Sequence, residues 1–198
     1  MTTPFRSFVE EDAARIRDEL ELLVRIPSVS APGYPEAEVR RSADTVASLL
    51  SASGLDDVRL LEIDGAHPAV YGEILGPVDA PTVLLYAHHD VQPPGPDDDW
   101  DTTPFEPFER DGRVFGRGSA DDKAGIVLHL ASIRALGDNN PVTIKVFIEG
   151  EEEIGSPHLA GFLEEYGELL KSDVIVIGDS GNWRVGEPTL TTSLRGLV

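Results

Sequence analysis

Four short words in this sequence carry side chains suited to holding cations. They are Ala87-His88-His89-Asp90-Val91, Gly116-Arg117-Gly118-Ser119-Ala120-Asp121-Asp122-Lys123, Glu149-Gly150-Glu151-Glu152-Glu153-Ile154-Gly155-Ser156 and Ile177-Gly178-Asp179-Ser180. His88, Asp121, Glu153 and Asp179 are each expected at the end of a strand. Two neighbouring divalent ions that activate a water for hydrolysis need a bridging carboxylate, further terminal ligands and a residue that takes the proton from the water. Every part is present. His88 offers an imidazole nitrogen, and Asp90, two residues on, lies on the same side of an extended segment, where it can hold the far ring nitrogen. Asp121 precedes a helix, and its two oxygens can bridge two cations. Glu152 and Glu153 are adjacent, so one can bind metal while the other stays free as general base. Asp179 completes the set.

The elements that must position these residues read as alternating helices and strands. Ile16, Leu20 and Leu23 recur at helical spacing from Glu10 to Arg25, and Pro27 ends the run. A second amphipathic stretch carries Val39, Ala43, Val46 and Leu50 and stops at Ser53-Gly54. Strands are expected at Val58–Ile63, Ala69–Ile74, Val142–Ile148 and Val174–Ile177, and helices over Asp122–Leu136 and Pro157–Leu170. Thr82-Val83-Leu84-Leu85-Tyr86 is continuously apolar, the mark of a central strand covered on both faces. Between Asp90 and Arg113 lies a long loop expected to frame the mouth of the site. This order predicts an α/β fold, a mostly parallel sheet with helices on both faces, whose ligands bind outside the carboxyl ends of the strands.

Composition narrows the partners. With 198 residues and 40% hydrophobic content the chain is long enough for one core. Thirty-six acidic against 16 basic residues give a formal net charge of −20, a field that repels phosphate backbones and anionic lipid, so nucleic acid and membrane are poor partners. The absence of cysteine removes thiolate ligands and nucleophiles and leaves oxygen and imidazole donors, a set that accepts zinc, manganese or cobalt. The N-terminal residues lack a basic segment followed by an apolar run, and the cytoplasm is the expected location.

Other tempting residues take plainer roles. His89 points away from His88 and reads as packing or solvent-facing, and His67, His129 and His158 read as structural. Asp97, Asp98 and Asp99 form a solvated charge run. Gly116 and Gly118 fit no phosphate-binding spacing and read as a tight turn before Asp121. Lys123 is expected to pair with nearby acids.

The words His88-His89-Asp90-Val91-Gln92-Pro93, Trp100-Asp101-Thr102, Pro104-Phe105, Asp111-Gly112 and Gly116-Arg117-Gly118 resemble the cocatalytic dinuclear zinc peptidase family of clan MH. That family includes carnosine dipeptidase, glutamate carboxypeptidase, acetylornithine deacetylase and succinyl-diaminopimelate desuccinylase. The likeness runs from Ile26 to Val198 and is nearest to the carnosinase-like dipeptidases. It implies that His88, Asp121 and Asp179 surround one zinc and that Asp121 and Glu153 hold the other. It also implies Glu152 as general base, with Glu151 excluded, Asp90 as the residue orienting His88, and a cis Asp121-Asp122 peptide. Aspartate at position 179 favours a dipeptidase over an N-acyl amino acid deacylase or carboxypeptidase on the same scaffold. The implied substrate is a small peptide.

Family members continue past Leu194-Arg195-Gly196 into a lid or dimerisation domain and return with a last histidine ligand. The expectation is therefore that residues 1–198 form the N-terminal portion of a metallopeptidase catalytic domain, with the lid and C-terminal return absent and the full-length form a homodimer. A non-catalytic metal-binding fragment is the contrasting expectation. A sheet edge left uncovered near Leu194, Leu197 and Val198 is expected to drive self-association of this chain.

Overall fold

The structure, a computed structural model, describes residues 4–137 and 140–193. Two helices open the chain, α1 (Pro4–Val24) and α2 (Glu36–Ala52), followed by strands β1 (Asp56–Leu61), β2 (Ala69–Ile74) and β3 (Thr82–His88). A small hairpin, β4 (Phe108–Arg110) and β5 (Arg113–Phe115), precedes α3 (Lys123–Leu136), β6 (Thr143–Glu149), α4 (Leu159–Leu170) and β7 (Val174–Ile177). Five strands form the main sheet in the order β1-β2-β6-β3-β7.

The sheet is mixed. β3 runs parallel to both β6 and β7, whereas β1–β2 and β2–β6 are antiparallel. The connection from β1 to β2 is too short for a crossover, so these two strands must fold back on each other. The helices α3 and α4 supply the crossovers that make the other half parallel. Helices cover both faces. α1, α2 and α3 pack Leu23, Val46, Leu50, Ile126 and Leu130 against Val70, Leu85, Val146 and Ile148. On the opposite face α4 packs Phe162 and Leu170 against Leu61, Tyr71, Leu84 and Phe147. Alternate strand residues divide between these two cores, as the pleat requires.

Lys123 does not pair with an acid. Its side chain is fully buried and its Nζ donates to the carbonyls of Leu23 (2.8 Å) and Ile26 (2.7 Å), at the end of α1. Each carbonyl also accepts a turn N–H, Leu23 from Ile26 (3.0 Å) and Ile26 from Ser28 (2.8 Å), and the buried amine takes the second acceptor position of both. Burial also pushes the Lys123 amine down to about 7. Lys123→Met should remove both of these charge-assisted bonds and lower stability by roughly 2–4 kcal/mol, read by urea titration of the folded protein; a loss within a few tenths of wild type would show that α1 needs no such clasp.

Leu194, Leu197 and Val198 lie outside the described residues, but the edge strand itself is described. All four residues of β7 are exposed, and among the described residues only β3 pairs with it. An open apolar edge is a template for another chain. The 198-residue chain should show concentration-dependent association in sedimentation, and Ile175→Lys should suppress it. Monodisperse behaviour of the unmodified chain would remove the edge from consideration.

Candidate active site

Three adjacent parallel strands deliver most of the site. In the order β6-β3-β7 their carboxyl ends lie side by side, with His88 opposite Glu149 in register. His88 is the last residue of β3, Glu152 and Glu153 sit in a short 3-10 turn after β6, and Asp179 follows β7. Asp121 is the exception to the strand-end expectation: it comes from the turn before α3, where the Lys123 N–H bonds to the Gly118 carbonyl. Gly118 is needed there, with φ of +81° and a would-be Cβ 2.6 Å from Val91. The Asp121-Asp122 peptide is cis.

These residues converge on one imidazole. His88 Nε2 lies 3.1 Å from Asp121 Oδ1, 3.8 Å from Glu152 Oε2 and 3.8 Å from Asp179 Oδ2. Donor atoms of His88, Asp121 and Glu153 all fall within 4.8 Å of one another, and so do those of His88, Asp122 and Asp179. On the far side of the ring, Nδ1 is 3.1 Å from the Asp90 carbonyl and 3.4 Å from its carboxylate. Asp90 is fully buried and is itself fastened by the Ser30 hydroxyl (2.6 Å) and by the N–H groups of Glu152 (3.2 Å) and Glu153 (3.1 Å). One carboxylate thus ties the end of β3 to the turn after β6.

The electrostatics ask for a cation. Among the described residues no lysine or arginine pairs with Asp121, Glu152, Glu153 or Asp179. Burial opposes charge on His88, but Asp90, Asp122 and Asp179 outweigh it and push the ring up to about 10. Burial and neighbouring carboxylates raise Glu152 and Glu153 above the usual carboxylate range. Burial opposes ionisation of Asp90 as well, yet His88 and Ser30 hold it below that range. Acidic oxygens around an imidazole, without sulfur, form a donor set that fits zinc, manganese or cobalt.

Asp122 was given no role by the sequence. Its buried carboxylate accepts a bond from the His88 N–H (3.2 Å), its other oxygen has no hydrogen-bond partner, and burial pushes it up to about 7. Its position next to Asp121, just before α3, was the available signal. The plainer assignments resolve individually. His89 is buried rather than solvent-facing and bonds to the Pro68 carbonyl at 2.9 Å. His129 bonds to the Tyr86 carbonyl at 2.9 Å. Glu151 is occupied elsewhere, accepting from the His67 N–H (2.9 Å) and facing His158 Nδ1 (2.8 Å). Asp97, Asp98 and Asp99 form an exposed 3-10 turn.

Known proteins resemble this chain in sequence and fold. A cysteinylglycine-S-conjugate dipeptidase of Corynebacterium striatum is 41% identical over 187 residues, spanning 92% of this chain and 40% of the relative. A Cys-Gly metallodipeptidase of Schizosaccharomyces pombe is 35% identical over 192 residues, spanning 90% of this chain and 40% of its own length. The solved structure of human carnosine dipeptidase 1 superposes with a TM-score of 0.79 at 28% identity, over 89% of this chain and 40% of that one. The chain therefore spans about two fifths of the length of these relatives. No described helix is long and apolar enough to cross a membrane. Residues 84–192, more than half of the 198 and the stretch holding His88, Asp90, Asp121, Glu152, Glu153 and Asp179, match the peptidase family M20/M25/M40, and the chain belongs to that family.

Proposed function

We propose that the full-length protein hydrolyses the peptide bond of dipeptides with two divalent ions, zinc foremost, and that residues 1–198 are the N-terminal portion of its catalytic domain. His88, Asp121 and Asp179 would hold one ion, and Asp121 and Glu153 the other. The observation that carries this reading is the convergence of Asp121, Glu152 and Asp179 on buried His88 Nε2, at 3.1, 3.8 and 3.8 Å. The part of the chain matched and the names of its relatives support the substrate class. A homodimer is part of the same reading.

Bound divalent ions supply a water whose pKa falls from near 16 toward roughly 7 and polarise the scissile carbonyl. The chain's own residues divide the remaining work. Asp90 holds the His88 ring so that Nε2 faces the carboxylates. The two adjacent glutamates differ in freedom. Both Glu153 oxygens accept bonds from Gln92, whereas the Glu152 carboxylate makes no hydrogen bond among the described residues and lies 3.8 Å from His88 Nε2. A restrained carboxylate suits a ligand. A free one suits a group that takes a proton from water and returns it to the leaving amine.

The test is substrate profiling of the full-length protein with and without a chelator. Cys-Gly and β-Ala-His should be cleaved, activity should vanish on chelation, and zinc should restore it, while N-acyl amino acids should be poor substrates. Efficient N-acyl cleavage with no dipeptide turnover would replace this reading with a deacylase.

A further inference from the structure

The segment after β3 shows a period of two that extends one step beyond the ligand and its support. His88, Asp90 and Gln92 fall on one side of an extended backbone, while His89 and Val91 are buried on the other. His88 and Asp90 already serve the site. Gln92 reaches across to the turn after β6 and binds a single residue there. Its backbone N–H donates to Glu153 Oε1 at 3.2 Å, and its side-chain amide donates to Glu153 Oε2 at 2.8 Å and to the Glu153 carbonyl at 2.7 Å. Asp90 completes the grip by accepting the Glu153 N–H at 3.1 Å.

We propose that Gln92 is a positioning residue that fixes the plane of the Glu153 carboxylate and so sets the affinity of the ion held there. This rests on the ligand reading of Glu153 given above. The chemistry of the contact supports it. A carboxylate has about four lone-pair sites, and two donors from Gln92 leave a site on each oxygen for a cation. Clamped in this way, Glu153 still keeps a donor atom within 4.8 Å of those of His88 and Asp121. The amide is neutral, so it orients the carboxylate without cancelling its charge, as a lysine or arginine would. Both bonds to the carboxylate come from one residue, one through backbone and one through side chain. Rotation about the last bond of Glu153 would break both.

Zinc titration of the metal-free full-length protein by calorimetry tests this, with Glu153→Ala, Gln92→Ala and Gln92→Glu beside wild type and with thermal melts of each. Gln92→Ala should weaken one of the two zinc sites by about 10–100-fold and leave the other unchanged, because groups that orient a ligand carry effects of that size. Gln92→Glu should weaken the same site further, since it loses the side-chain donors and places a like charge against Glu153. Glu153→Ala should weaken that site most. If Glu153→Ala weakens one site and Gln92→Ala weakens neither, the positioning role is wrong and the ligand reading stands. If Glu153→Ala changes neither site, both are overturned. An equal loss at both sites with a lowered melting temperature in Gln92→Ala would mark a general structural role and also overturn the proposal.

Discussion

Glu152→Gln in the full-length protein is expected to lower turnover by at least about a hundredfold while leaving metal content nearly unchanged, because the amide keeps the shape of the side chain but cannot accept the proton. The geometry makes this separation sharp. Glu152 touches no hydrogen-bond donor among the described residues through its carboxylate, so the change breaks no structural contact there, and its backbone N–H still reaches Asp90. Turnover and bound zinc should be measured on the same sample. Near-normal turnover would take Glu152 out of the base role, and a matching fall in zinc would make it a ligand instead.

Asp121→Ala should act differently, weakening both zinc sites together by more than about a hundredfold. Orienting groups alone carry tenfold to hundredfold effects, and a carboxylate shared by two ions carries more. Asp121 Oδ1 lies 3.1 Å from His88 Nε2, and Asp121 groups with His88 and Glu153, which supports the bridging role proposed for it. Equilibrium dialysis of the variant should show no tightly held zinc. Loss of one ion with the other retained at full affinity would make Asp121 a terminal ligand and remove the bridge.

Much of this was legible in the sequence because the site grows out of strand ends. The apolar run ending at His88 announces a buried central strand, and β6 and β7 show the same pattern before Glu152, Glu153 and Asp179. What escaped depends on contacts across the fold. Lys123 reads as a charge in need of an acid, and only the placement of α1 against the start of α3 reveals two carbonyls within its reach. Asp122 reads as a neighbour of the bridge, and its bond to the His88 N–H exists only once α3 abuts the end of β3. The hairpin β4–β5 sits inside what reads as a long loop. Its Asp111-Gly112 turn, with φ of 53° and 72°, is the hairpin signal that sequence alone offers, masked by strands only three residues long.

The roles of Glu152 and Glu153 show the same division. Adjacency in sequence leaves room for one ligand and one base, but both are carboxylates on one short turn. Only the Gln92 bonds separate the restrained side chain from the free one.

A two-ion site at His88 and its carboxylates should be visible by anomalous diffraction from zinc-soaked crystals of the full-length protein. Two peaks roughly 3.5–4 Å apart are expected, one on His88 and Asp179, the other on Glu153, with Asp121 touching both. Zinc density that avoids His88 Nε2, or a single peak that leaves Glu153 without an ion, would rule out a two-ion site there.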